Sequence, residues 1–131
     1  MSIQNEILNA IASRRSCRAY KPEQITAEEL EAVTIAGTWA ATAMGRQSPV
    51  MVAVQDKETL AELSRLNAAV MGTQNDPFYG APTAVLVLGE KNNPNGVQDA
   101  SLVMGNLMNA AYSIGVDSCW IHRAKEVFES E

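Results

Sequence analysis

Thr83-Ala84-Val85-Leu86-Val87-Leu88 is a run in which apolar residues follow one another without alternation. A strand with one wet face alternates apolar and polar side chains, so this run predicts a central strand covered on both faces. Downstream, Lys91 to Gly96 reads as a polar loop. Asp99 to Ile114 then reads as a long apolar helix carrying Gly105, Ala110 and Ala111, with Gly115 as its C′ stop. Val116 to Ile121 reads as another short strand, and Lys125 to Glu131 as the beginning of a charged helix. Upstream, Gly72 to Gly80 with Asn75-Asp76-Pro77 is turn chemistry. Asp56 is placed to cap a helix whose Leu60, Leu63 and Leu66 share one side. Pro49 to Val54 predicts a short buried strand. Further back, Thr26 with Glu29 is a capping-box pair opening a helix from Ala27 to about Thr38, its apolar side formed by Leu30, Val33, Ile35 and Ala36. Ile3, Ile7, Leu8 and Ile11 make Ser2 to Ser13 an amphipathic helix ending near Arg14.

No repeat or linker interrupts this order, so residues 1–131 are expected to form one domain. The chain is 47% hydrophobic and 19% charged, with a formal net charge of −5. An acidic balance argues against nucleic acid or an anionic membrane as partner, because either needs a net basic face. The N-terminus lacks the basic and apolar regions of a signal peptide. No apolar run approaches the roughly 18 to 20 residues that span a bilayer, so a cytoplasmic protein is expected. Cys17 and Cys119 are too few and too far apart in sequence for a disulfide framework or a zinc site. With His122 the only histidine, no metal is expected.

Against that acidic background, Arg14-Arg15-Ser16-Cys17-Arg18-Ala19-Tyr20 is a dense cationic knot. Guanidinium forks bind phosphate oxygens bidentately and the Ser16 hydroxyl adds a donor, so the knot can hold a phosphate. Basic residues in the last turn of a helix also favour the negative end of its dipole, by about 0.3 to 1 kcal/mol each. Taken alone, the knot leaves both readings open.

Followed by Lys21-Pro22, that stretch resembles the opening motif of the FMN-dependent nitroreductase family. Three more segments fall in the family's order: Ala36-Gly37-Thr38-Trp39-Ala40 through Gln47, Phe78-Tyr79-Gly80-Ala81-Pro82, and Asn106 through Trp120-Ile121. The resemblance implies an α+β fold with a central, mostly antiparallel sheet flanked by helices, and a homodimer with flavin sites at its interface. The implied chemistry is hydride transfer from NAD(P)H through FMN to a nitroaromatic, quinone or similar acceptor by a ping-pong cycle. The flavin does that chemistry, so no side chain is assigned as catalytic. Related members fragment flavin or dehalogenate aromatic substrates, and no residue here excludes those reactions.

Residue by residue, the resemblance places Arg14 and Ser16 at the FMN phosphate and Arg15 along the cofactor. It places Arg18 near flavin N1 and O2, where a fixed cation stabilises the charge of the reduced ring. Asn67 resembles the amide that meets the pyrimidine edge, beside the alternative of an ordinary helical surface Asn. Ala41, Thr42 and Gln47 lie in the loop that reaches the flavin from the partner subunit. That loop departs from the family's pattern, which often has Pro-Ser at Ala41-Thr42, Asn at Gly45 and Pro at Ser48; Gly45 is expected to loosen it. Trp120, Ile121, His122 and Arg123 match the segment whose backbone passes the flavin near N5. His122 has the alternatives of proton transfer and a satisfied polar residue, and Cys119 reads as packing rather than nucleophile. Trp39 and Trp120 each have the alternatives of a flavin neighbour and core. Family members also continue with a further helix, a late strand and a last cationic pair, so the chain reads as C-terminally incomplete. The alternative function is a protein that binds flavin or another phosphate ligand without turnover.

Overall fold

The computed structural model describes residues 2–130. Seven elements follow in order: α1 (Glu6–Ser13), α2 (Ala27–Thr38), β1 (Val50–Val54), α3 (Lys57–Met71), β2 (Ala84–Leu88), α4 (Gly96–Ser113) and α5 (Ala124–Glu129). A short 3-10 turn, Ala43–Gly45, lies between α2 and β1.

Local hydrogen bonding explains where most helices begin. In α2 the Glu29 N–H donates to Thr26 Oγ1 (3.1 Å) and the Thr26 N–H donates to Glu29 Oε2 (2.7 Å), a reciprocal capping box. In α3 the Thr59 N–H donates to Asp56 Oδ2 (2.8 Å). The first helix is shorter than the expected Ser2 to Ser13. The Asn5 side chain accepts from Leu8 N–H (2.9 Å), so Asn5 is the N-cap and residues 2–4 precede the helix. The fourth helix starts earlier than the expected Asp99. Gly96 opens it, where a Cβ would come within 2.5 Å of the Glu90 carbonyl oxygen; a Cβ on Gly89 would meet Gly96 O at the same distance. Two glycines thus let the β2–α4 connection fold back on itself. As expected, Gly115 follows the C-cap Ile114, with φ 81°. The last helix runs Ala124–Glu129, and the end of the expected span, Glu131, lies outside the described residues.

The strands depart further from expectation. β1 and β2 form a two-stranded antiparallel sheet in which Met51 faces Val87 and Ala53 faces Val85. The pleat sends Met51, Val85 and Val87 toward a core of Val33, Ala40, Val103, Leu107 and Ala111 supplied mainly by α2 and α4. Burying a side chain such as Leu107 there contributes about 1.5–3 kcal/mol relative to exposure. The other face carries Val50, Val52 and Leu88, each exposed. Val50 to Val54 is therefore not the buried strand expected, and Ala84 to Leu88 is not covered on both faces, because the helices cover one side only. Among the described residues β2 has a single strand partner, so it is not central.

The expected strand Val116 to Ile121 does not form either. It reduces to one parallel bridge between Ser16 and Ser118, with Cys17 N–H donating to Ser118 O (3.0 Å). His122 adopts a left-handed conformation, φ 54°, and turns the chain away at the end of the segment. On α2, Val33 is buried and Leu30 and Ala36 are half-buried as expected, but Ile35 is exposed and Gly37 is buried on the packed side instead. Asn106 Nδ2 donates to Ala36 O (2.9 Å) and ties α4 to α2.

Candidate functional site

The cationic knot follows α1 directly, with Arg14 as the C-cap; its N–H donates to Ala10 O (2.9 Å). The guanidinium groups here take different roles. Arg15 Nη1 donates to Ala12 O and Arg14 O, both at 2.8 Å, so Arg15 satisfies carbonyls at the helix end. Arg14 Nη1 is sealed from solvent and has no acceptor among the described residues. A buried cationic donor without a partner costs free energy unless an acceptor is supplied, which marks this point for an anion. Ser16 and Arg18, two and four positions on, are exposed.

The Ser16–Ser118 bridge brings the knot against the segment that ends in Trp120, Ile121, His122 and Arg123. Trp120 and His122 meet edge to face, with ring centroids 5.1 Å apart at 88°. Arg123 Nε donates to Asn67 Oδ1 (2.7 Å), and Asn67 is 4% exposed. Asn67 is therefore a buried polar partner and not the surface helical Asn that was its alternative. Residues 14–18 thus pair with the segment 118–123 at Ser118, and that segment is tied through Arg123 to Asn67. Tyr20, the last residue of the motif and given no role from the sequence, joins them; its hydroxyl donates to Cys17 O (2.7 Å), and burial first, then the nearby Cys17 and Cys119 sulfurs, raise its pKa.

Ala41, Thr42 and Gln47 lie in a separate structure. Thr42 Oγ1–H donates to Gln47 Oε1 (2.7 Å), Gln47 N–H donates back to Thr42 Oγ1 (2.9 Å), and Gln47 Nε2 donates to Thr38 O (2.9 Å). Met44, Gly45 and Gln47 all have positive φ, of 56°, 62° and 50°. The loop is consequently braced, whereas Gly45 was expected to loosen it; the glycine occupies a left-handed position that suits it. Sequence reasoning missed the brace's far end, Asp99. At 2% exposed, its carboxylate accepts from Ala43 N–H (2.9 Å) and from Asn93 Nδ2 (3.3 Å). Its place in the first turn of α4, after Asn93-Pro94-Asn95-Gly96, is the signal that could have found it. A shallow hollow beside this loop is lined by Gly37, Thr38, Ala40, Thr42, Gln47, Pro49, Met51 and Val103. Among the described residues no hydrogen bond joins the loop to segment 14–18 or to 120–123. Trp39, 79% exposed, and Trp120, 41% exposed, are not core in this chain.

The α+β chain places a cationic knot whose buried donor has no acceptor among the described residues, a buried amide and a left-handed turn at His122 along connected segments. Comparison with known proteins gives the class. The profile of the nitroreductase family matches residues 11–77 and 68–127, and the chain belongs to that family. It is 30% identical over 121 residues to an Archaeoglobus fulgidus protein provisionally named NADH dehydrogenase/NAD(P)H nitroreductase, covering 88% of this chain and 67% of that one. A similarly named Methanothermobacter thermautotrophicus protein is 26% identical over 124 residues, of which the chain spans 60%. The fold superposes on a Bacteroides fragilis nitroreductase with bound FMN at a TM-score of 0.85 and 31% identity, over 95% of this chain and 77% of that one. For a Desulfitobacterium hafniense nitroreductase, also with bound FMN, the TM-score is 0.81 at 27% identity, over 95% and 79%.

Proposed function

We propose that this chain, as a single domain, binds FMN and acts as a cytoplasmic, NAD(P)H-dependent oxidoreductase that passes electrons to a nitroaromatic, quinone or similar acceptor by a ping-pong mechanism. The observation that carries the reading is the buried, unpartnered Nη1 of Arg14 in a segment bridged to residues 118–123. The residues fit the cofactor: a guanidinium N–H without an acceptor suits a phosphate oxygen, and the Ser16 hydroxyl two positions on adds a second donor. When bound, FMN supplies the two-electron chemistry. The chain's own part is to bind and orient. Arg14 and Ser16 hold the phosphate end, with Arg15 alongside while it also closes helix α1. Arg18, exposed and without a hydrogen bond among the described residues, provides a cation for the pyrimidine edge. Asn67 and Arg123 steady each other, and the backbone from Ile121 to Arg123 offers main-chain donors. No side chain is assigned a proton transfer.

The working form is proposed to be a homodimer in which Ala41, Thr42 and Gln47 serve the partner's cofactor. Exposed apolar side chains support this reading: Ile7 is 72% exposed, Ile11 54%, Trp39 79% and Met44 89%. The test is the visible absorbance of protein purified without added flavin, followed by NADH or NADPH under anaerobic conditions. A yellow protein that bleaches supports the oxidoreductase. A yellow protein that keeps its colour with both nucleotides leaves a binding function only, and a protein that neither carries nor takes up FMN overturns the reading.

A further inference from the structure

We infer that Cys17 and Cys119 form a reversible redox pair, an intrachain disulfide site set by the parallel bridge at Ser16 and Ser118. Their distance in sequence is cancelled by the fold. In a parallel ladder the residues that follow a bridged pair face each other one step on, and side chains alternate sides, so Cys17 and Cys119 emerge together on the face opposite Ser16 and Ser118. The Cys17 N–H bond to Ser118 O, 3.0 Å, fixes the register on the step between the bridged serines and the cysteines. Adjacent strands lie about 4.7–4.9 Å apart, inside the roughly 4.4–6.8 Å Cα separation that a disulfide spans.

A second observation converges on the same point. Both sulfurs lie close enough to the Tyr20 hydroxyl to act on it electrostatically, and that hydroxyl is itself bonded to Cys17 O (2.7 Å). Among the described residues each thiol bonds only a nearby main-chain oxygen and not another side chain. Cys17 Sγ donates to Ala19 O at 3.1 Å and Cys119 Sγ to Trp120 O at 3.9 Å. Both residues are half-buried rather than sealed, so a small oxidant reaches them, and the chain holds no further cysteine to compete.

The oxidant class is a low-molecular-weight disulfide such as oxidised glutathione. One protein thiolate attacks it, forming a mixed disulfide and releasing one glutathione thiolate. The other protein thiolate then attacks the mixed disulfide, the Cys17–Cys119 bond forms, and the second glutathione leaves. Two electrons pass from the protein sulfurs to glutathione, and the two protein thiol protons end on two glutathione thiols. Once closed, the bond prevents segment 14–18 from parting from segment 118–123. The inference stands on the bridge geometry and does not require a bound cofactor.

The test equilibrates the full chain anaerobically in glutathione buffers from reducing to oxidising, followed by acid quench, alkylation of remaining thiols, and intact-mass and peptide mapping. The expected result is joint loss of both alkylatable thiols in one transition, a mass lower by two hydrogen atoms, and a linked peptide containing Cys17 and Cys119. Cys17→Ser should leave Cys119 as a glutathione adduct. Separate midpoints with glutathione adducts on the unaltered chain, disulfides between chains, or thiols that stay reduced throughout would each overturn it.

Discussion

Replacing Arg14 with Met separates the cost of a buried donor from its use, because the two consequences have opposite signs. Arg14 Nη1 is buried without an acceptor among the described residues, and Arg14 is the C-cap of α1. Met keeps most of the aliphatic stem and removes the guanidinium. An unsatisfied buried polar group carries a penalty of about 1–3 kcal/mol, so the flavin-free variant should unfold at an equal or higher temperature. With FMN the sign reverses. A hydrogen bond from a charged donor contributes about 1.5–3 kcal/mol, and at about 1.4 kcal/mol per tenfold the dissociation constant should rise roughly 10- to 150-fold. Calorimetric titration with FMN and with riboflavin, at one fixed salt concentration, assigns the loss. Riboflavin lacks the phosphate, so its affinity should be nearly unchanged. A variant that melts lower and binds both ligands as the parent does would refute the assignment of Arg14 to the phosphate.

Two further perturbations test the frame around the site. Burial raises the Asp76 pKa, but the Ser64 hydroxyl and the N–H groups of Phe78 and Gly80 outweigh it and hold the carboxyl below its ordinary range. A depressed folded pKa means stability that is present above the unfolded value of about 3.9 and lost as pH falls through the folded one. Asp76→Asn should therefore lower the denaturation midpoint at neutral pH, with the gap closing below about pH 4; a gap independent of pH would sink the idea. Asp99→Ala removes the buried acceptor for Ala43 N–H and Asn93 Nδ2, so it should cost roughly 1–3 kcal/mol in urea denaturation and speed hydrogen exchange at the Ala43 amide. An unchanged midpoint would show that the loop does not depend on this anchor.

Elements whose cause lies within a few residues were legible. The Thr26–Glu29 box and the Asp56 cap define α2 and α3, because each satisfies helix-end donors from side chains three positions away. Chain folding over longer range was not. Thr83 to Leu88 reads as covered on both faces because its composition allows it, but exposure of Leu88 and the outward faces of Val50 and Val52 depend on where α2 and α4 lie. The expected strand at Val116 to Ile121 spends its pairing on segment 14–18 instead, a partner about a hundred positions away that no local periodicity encodes.

The cationic knot shows the same division within a single motif. Helix-end compensation and anion binding were both open for Arg14, Arg15 and Arg18, since the sequence shows only that cations cluster. Geometry separates them: Arg15 reaches carbonyls at the end of α1, Arg14 has a buried Nη1 without an acceptor among the described residues, and Arg18 is exposed. The alternatives were never exclusive, because neighbouring side chains leave the backbone in different directions. A helix C-terminus followed by extended chain lets one arginine close the helix while the next faces a ligand. It follows that substituting the knot wholesale would confuse helix stability with ligand affinity, whereas Arg15→Ala should act chiefly on the helix end and Arg14→Met on the phosphate.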